Sequence, residues 1–123
     1  MSVPAIFDKM RLPIIGSPLF IISQPELVIA QCKAGIVGSF PSLNARPASQ
    51  LDEWLDQITS ELDSYNKANP DRPAAPFAVN QIVHKSNDRL DHDVEMCVKY
   101  KVPFVITSLG AREEVNQAIH SYG

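Results

Sequence analysis

The residues in this chain whose types suit chemistry fall in four short runs, Gly16-Ser17-Pro18, Ser39-Phe40, Asn80-Gln81 and Thr107-Ser108 with Gly110. Each closes an apolar, β-branched segment and offers small residues, hydroxyls or amides, with no strong acid, strong base or thiol among them. Such a set suits a planar, polar-edged cofactor held by backbone and amide groups better than it suits hydrolysis by a side-chain nucleophile. Gly16 permits close approach to the main chain, and Asn80 and Gln81 carry both donors and acceptors. Small residues at strand ends also serve simply to make turns, and that reading stands beside the cofactor one.

Other chemistries find less support. His84 follows the third apolar segment beside Lys85, His92 lies between two aspartates in a helical pattern, and His120 falls in a last helical turn. None has a Ser, Cys or acid at a spacing that defines a triad. Cys32 and Cys97 lie far apart, each inside a helical pattern, and read as small buried hydrophobes rather than metal ligands or a disulfide. There is no GxGxxG, no Walker A loop and no HExxH, so no nucleotide-phosphate or zinc site is anchored here. No catalytic base is assigned.

The elements that must position these runs alternate. Ala5 to Met10 predicts a short lead-in helix, and Pro13 to Ser17 a first strand bounded by prolines. Pro25 with Glu26 opens a helix that Gly35 closes, the usual punctuation from first turn to C-cap. Ile36 to Phe40 predicts a second strand, which runs into the polar loop Pro41 to Pro47, a candidate ligand lip carrying the lone Arg46. Leu51, Trp54, Leu55, Ile58, Leu62 and Tyr65 advance by three or four and define a long amphipathic helix, with Asp52, Glu53, Asp56, Glu61 and Asp63 on a solvated side. A proline-rich connector over 69–76 delivers the chain to a third strand, Phe77 to Val83. Ser86, Asn87 or Asp88 caps a third helix from Arg89 to Lys101, with Leu90, Val94, Cys97 and Val98 inward. Val102 to Ser108 is a fourth strand, and Ala111 to Ser121 a fourth helix.

Alternation of strand and helix predicts an α/β fold with a parallel sheet and function at the carboxyl ends of the strands. About four βα repeats make half of a TIM-type barrel, and 123 residues fall well short of the ~250 of a closed eightfold barrel. One domain over residues 1–123 is therefore expected, as the amino-terminal part of such a barrel, with self-association through exposed strand edges as a consequence. A formal net charge of -3 without a basic run leaves no footprint for nucleic acid. No apolar stretch approaches the ~20 residues of a membrane span. The start lacks the pattern of a secretory signal, so a cytoplasmic location is expected.

Three runs carry a family resemblance: Leu12-Pro13-Ile14-Ile15-Gly16-Ser17-Pro18-Leu19, then Val28 to Ser39, then Pro76-Phe77-Ala78-Val79-Asn80. In order and spacing they resemble the amino-terminal part of the nitronate monooxygenases, formerly 2-nitropropane dioxygenases. The resemblance implies an FMN-dependent βα barrel that oxidises alkyl nitronates with molecular oxygen. It implies that Gly16, Ser17 and Pro18 lie against the flavin ring, with Leu19 where the family has Met. It further implies that Asn80 turns its amide to the ring and that Ser39 and Ser108 border the pocket. The family's catalytic His and phosphate-binding loops belong to its second half, so this chain would supply the ring side of the site. The alternatives are an FMN-dependent enoyl or quinone reductase of the same barrel group, and a truncated, non-catalytic α/β module.

Overall fold

A computed structural model of the chain describes residues 2–123. After a 3-10 turn at Ala5–Lys9 come α1 (Pro25–Ala34), β1 (Ser39–Pro41), a 3-10 turn at Ser42–Asn44, α2 (Gln50–Ala68), β2 (Ala78–Ile82), α3 (Leu90–Lys99), β3 (Phe104–Ser108) and α4 (Glu113–His120). The fold is α/β. Its three strands form a parallel sheet in the order β1-β2-β3, with Ser39, Ala78 and Phe104 in register at one end and Ile82 beside Ser108 at the other. Strands that follow one another in sequence are neighbours in the sheet, without the reversal of order that marks a doubly wound fold.

The first apolar segment differs from the strand expected over Pro13–Ser17. It is extended and parallel to the sheet but meets it through a single bridge, Ile15 beside Val37. Gly16 N–H donates to the Val37 carbonyl at 2.8 Å, and Val37 N–H to that of Ile14 at 3.0 Å. The next donor in that alternation falls on Pro18, which has none, so the ladder stops. The second strand is correspondingly shorter than Ile36–Phe40 at its start. Val37 spends both backbone groups on the first segment, and pairing with β2 begins only where Ala78 N–H reaches the Gly38 carbonyl at 2.8 Å.

The helices follow their sequence signals closely. Pro25 begins α1, and Gly35 ends it at φ 99°, donating to the carbonyls of Cys32 and Gln31. Along α2 the buried residues are Leu51, Leu55, Ile58 and Leu62. They join Val28, Ile29 and Cys32 of α1 and Phe40 and Val79 of the sheet in the main core, where Trp54 meets Phe40 edge-on at 5.7 Å. A smaller cluster of Val83, Leu90, Val94 and Val115 seats α4. Of the acidic side of α2, Asp52 is not merely solvated. Its Oδ1 accepts from Lys99 Nζ at 2.6 Å and from the Tyr100 hydroxyl at 2.7 Å, which ties α2 to the end of α3 and holds the carboxyl below its usual range.

Alternation along the strands sorts side chains between two faces. Phe40, Val79 and Val105 face the helix-covered core. Ser39, Asn80, Ile106 and Ser108 have the opposite parity and lie on the other face. The lead-in turn covers the amino end of that face, with Phe7 tilted against Phe104 at 5.7 Å. The segment before α1 leaves Ile14, Ile15, Leu19, Phe20, Ile21 and Ile22 exposed.

Candidate functional site

The structure groups the predicted site residues in two hydrogen-bonded pairs on the face opposite the helices. Ser39, fully buried, donates its hydroxyl to the Gly16 carbonyl and so fixes the first segment to β1. Asn80, 8% exposed, donates from Nδ2 to the Ile106 carbonyl at 2.9 Å and to Ser108 Oγ at 3.1 Å, joining β2 to β3. The Asn80 carbonyl oxygen Oδ1 takes no hydrogen bond from any described residue. Along the sheet Ser39, Asn80 and Ser108 climb in steps of two registers from β1 to β3. Ser17 and Leu19 are exposed at the carboxyl end, with Pro18 half-buried between them.

Gly16 has a structural task that the sequence reading did not give it. A Cβ placed there would strike the Gln31 side-chain amide of α1, lying 2.8 Å from Gln31 Cδ. Its missing side chain therefore admits a helix residue, and a bulky substitution at Gly16 tests packing against α1 before it tests any ring contact.

Gln81, named beside Asn80 as a cofactor-facing amide, points the other way. It is fully buried on the helix side, where Oε1 accepts from the Ser42 hydroxyl at 3.1 Å and Nε2 meets Cys97 Sγ at 3.2 Å. Adjacent residues of a strand cannot share a face, so only one of the two amides reaches the site. Thr107, opposite Gln81 in the register, likewise belongs to the helix side.

Behind Gln81 lies a polar cluster that sequence reasoning missed. Asp93 of α3 is fully buried, and its Oδ1 receives Arg89 Nη2 at 3.2 Å and His92 Nδ1 at 2.8 Å. Arg89 also donates from Nη1 to the Ala45 carbonyl at 2.6 Å and from Nη2 to that of Ser42 at 3.3 Å, which pins the loop after β1 to the start of α3. Asp93 Oδ2 and Arg89 Nε are buried without a partner. The only sequence signal was position: Asp93 falls between Leu90, Val94 and Cys97 on the inward stripe of α3. None of Ser86, Asn87 and Asp88 caps α3, whose N-cap position is Arg89 without a side-chain cap bond; Asn87 instead closes the preceding turn, accepting from Arg89 N–H at 3.1 Å and donating to the Ile82 carbonyl at 2.8 Å.

His84 Nδ1 meets Ser86 Oγ at 2.8 Å and accepts from Ser86 N–H at 3.2 Å, a local closure of an exposed turn. Both cysteines are buried and unpaired by disulfide. Burial pushes the Cys32 thiol up to about 11 and that of Cys97 to about 12. The Tyr122 phenol, donating to the Val102 carbonyl at 2.8 Å, is pushed up to about 12, mainly by burial. Raised acids stabilise the fold fully below their unfolded values and lose that contribution as pH climbs through the folded ones. Stability is therefore expected to hold up to the ordinary thiol value of 9.0 and to fall between there and about 12. A thiol reagent at neutral pH should label neither cysteine in the folded chain and both in urea. Rapid labelling of native protein would contradict this burial.

A cavity of about 470 Å³ opens at the amino ends of β2 and β3 between Thr59, Asn66, Phe77, Tyr100 and Lys101, away from Asn80 and Ser108. Among the described residues no cluster of His, Cys, Asp and Glu could hold a metal ion, and no helix is long and apolar enough to cross a membrane. No family model matches the chain, and no curated protein matches it.

Proposed function

We propose that this chain forms the ring side of an FMN site in a TIM-type βα barrel that oxidises alkyl nitronates with molecular oxygen. The observation that carries the reading is Asn80. It is a nearly buried amide on the helix-free face, its Nδ2 tied down by Ile106 and Ser108 and its Oδ1 left to accept. An acceptor fixed in this way suits a ring N–H, and the apolar Ile106 beside it in the register suits a flavin plane. The hydroxyls of Ser39 and Ser108 support the same reading indirectly. Ser39 orients the Gly16 carbonyl, and Ser108 orients Asn80. The sequential order of the parallel strands accords with βα-barrel units.

Bound there, FMN would accept electrons from the nitronate and pass them to oxygen. The residues of this chain would bind and orient the ring and shield it from water, and none of them is assigned as a base. Asn80→Ala removes both donations and the free acceptor. It is expected to weaken FMN binding by about tenfold to a hundredfold, the worth of about 1–3 kcal/mol in directed hydrogen bonding. Titration of wild-type and variant chains with FMN, followed by visible absorption after desalting, reads this directly. Equal retention by both removes Asn80 from the site. Nitronate-dependent oxygen uptake by the flavin-loaded protein supports the oxidase chemistry. NAD(P)H oxidation without nitronate would favour the reductase reading, and a chain that stays colourless would favour the non-catalytic one.

A further inference from the structure

The exposed run Leu19-Phe20-Ile21-Ile22 is held from outside itself. Asn44 Oδ1 accepts Ile21 N–H at 3.1 Å, while its Nδ2 donates to the carbonyls of Leu19 at 3.0 Å and Ser23 at 2.9 Å. Leu19 N–H is fixed in turn by Ser23 Oγ at 2.8 Å. Ile21 sits at φ 67°, in the left-handed region, which a β-branched residue occupies only where its surroundings over-determine it. Every hydrogen bond that Asn44 makes from its side chain goes to this loop and none to its own turn.

Asn44 is itself anchored. Arg89 binds the carbonyls of Ser42 and Ala45, which bracket it, and Asp93 holds Arg89. The guanidinium does not close on the carboxylate in the two-pronged manner that arginine favours. One nitrogen reaches one oxygen at 3.2 Å, and Asp93 Oδ2 and Arg89 Nε are left without partners. Arg89 thus gives up its best pairing with a fully buried acid in order to hold the loop.

We infer that Asn44 and Arg89 are positioning residues. They lock the loop Leu19–Ser23 and, through Leu19, set the segment Gly16–Leu19 against which the flavin ring of the proposed function would lie. This inference rests on that proposal for the identity of the ligand, and on the hydrogen bonds alone for the clamp.

The test uses the full chain with Asn44→Ala, and with Arg89→Lys, which keeps a cation for Asp93 but cannot span both carbonyls. Amide hydrogen exchange at Leu19 and Ile21 reads the clamp, and FMN titration with the spectrum of the bound flavin reads the positioning. In Asn44→Ala, protection at Ile21 is expected to fall about tenfold or more, with β2 amides unchanged. FMN affinity should fall about tenfold with an altered flavin band. Arg89→Lys should show the same pattern to a smaller degree. Unchanged exchange at Ile21 in Asn44→Ala overturns the clamp whatever the flavin does. Lost protection with unchanged affinity and spectrum overturns the positioning role while the flavin reading survives. A wild-type chain that takes up no FMN overturns the flavin reading itself, and the positioning role with it.

Discussion

Arg89→Met is expected to lower the unfolding free energy by about 3–5 kcal/mol, among the largest single losses open to this chain. The substitution keeps most of the side chain's volume and removes its charge. Asp93 is then left fully buried with His92 as its one remaining partner, the Ala45 carbonyl loses the Arg89 donor, and that of Ser42 keeps only Ala45 N–H. The size follows from the asymmetry of buried ion pairs. Assembling one brings little net stability, because desolvation offsets the attraction, but stripping one partner leaves the other charge uncompensated. Arg89 is partly solvated, with 19% of its side chain exposed, so the lower part of the range is the firmer expectation. Urea unfolding measures it as a shift in midpoint at constant slope. The same logic makes a second expectation of opposite sign. Adding Asp93→Leu to Arg89→Met removes the stranded charge and should recover most of the loss. A single variant as stable as wild type, or a double variant no better than the single, would show that the pair does not carry this energy.

That cluster also marks the limit of what the sequence discloses. The parallel sheet, the four helices and their order were legible because each rests on local signals. The signals are Pro25 and Gly35 at the ends of α1, the stripe from Leu51 to Leu62 along α2, and the prolines that break the chain between α2 and β2. The pairing of the first segment was not legible. Its composition is that of a strand, but whether it forms a ladder depends on where Pro18 falls against Val37, a matter of register between segments far apart in sequence. Arg89 and Asp93 escaped for a related reason. An i,i+4 pair of opposite charges on an amphipathic helix reads as surface, and only the loop after β1, folded over it, makes the pair a buried one.

The candidate site was legible in part. The residue types of Ser39, Asn80 and Ser108 point to a common site, and the structure sets them on one face, but only Ser108 ends its strand: Ser39 opens β1 and Asn80 lies in the middle of β2. The residue type of Gln81 gives the same signal, but the two-residue period of a strand forbids it from joining Asn80. In the loop after β1 the sequence makes Arg46 the conspicuous residue and gives no signal for Asn44. Arg46 lies over the Phe20 ring at 5.3 Å and donates to the Leu43 carbonyl at 3.0 Å, so it packs beside the loop rather than organising it. Function at this end of the sheet depends on which side chains hold other segments in place, and composition does not reveal that.

Gly38→Val separates propensity from packing most sharply. Valine is a strong strand former, and replacing a glycine in extended backbone also reduces the freedom of the unfolded chain, so local reasoning alone expects a gain of up to about 1 kcal/mol. The structure argues for the reverse. A Cβ at Gly38 would run into the Val28 carbonyl oxygen and lie 2.9 Å from Val28 Cα, both of them main chain of α1. Val28 is fully buried within the main core, so α1 cannot back away without opening its contacts with Ile29, Cys32 and the α2 stripe. Overpacking of this kind costs about 1–3 kcal/mol where side chains can yield, and more where backbone must move, so a loss of about 3 kcal/mol is expected. Gly16→Ala supplies the internal control. Its Cβ meets the end of the Gln31 side chain, which can swing aside, and its cost should stay within about 1 kcal/mol. If Gly38→Val proved as stable as wild type by urea unfolding, α1 would not lie as close to the strand as the fold requires. A large loss at Gly38 beside a small one at Gly16 would establish that the glycine before β1 is kept for the approach of a helix, not for a turn.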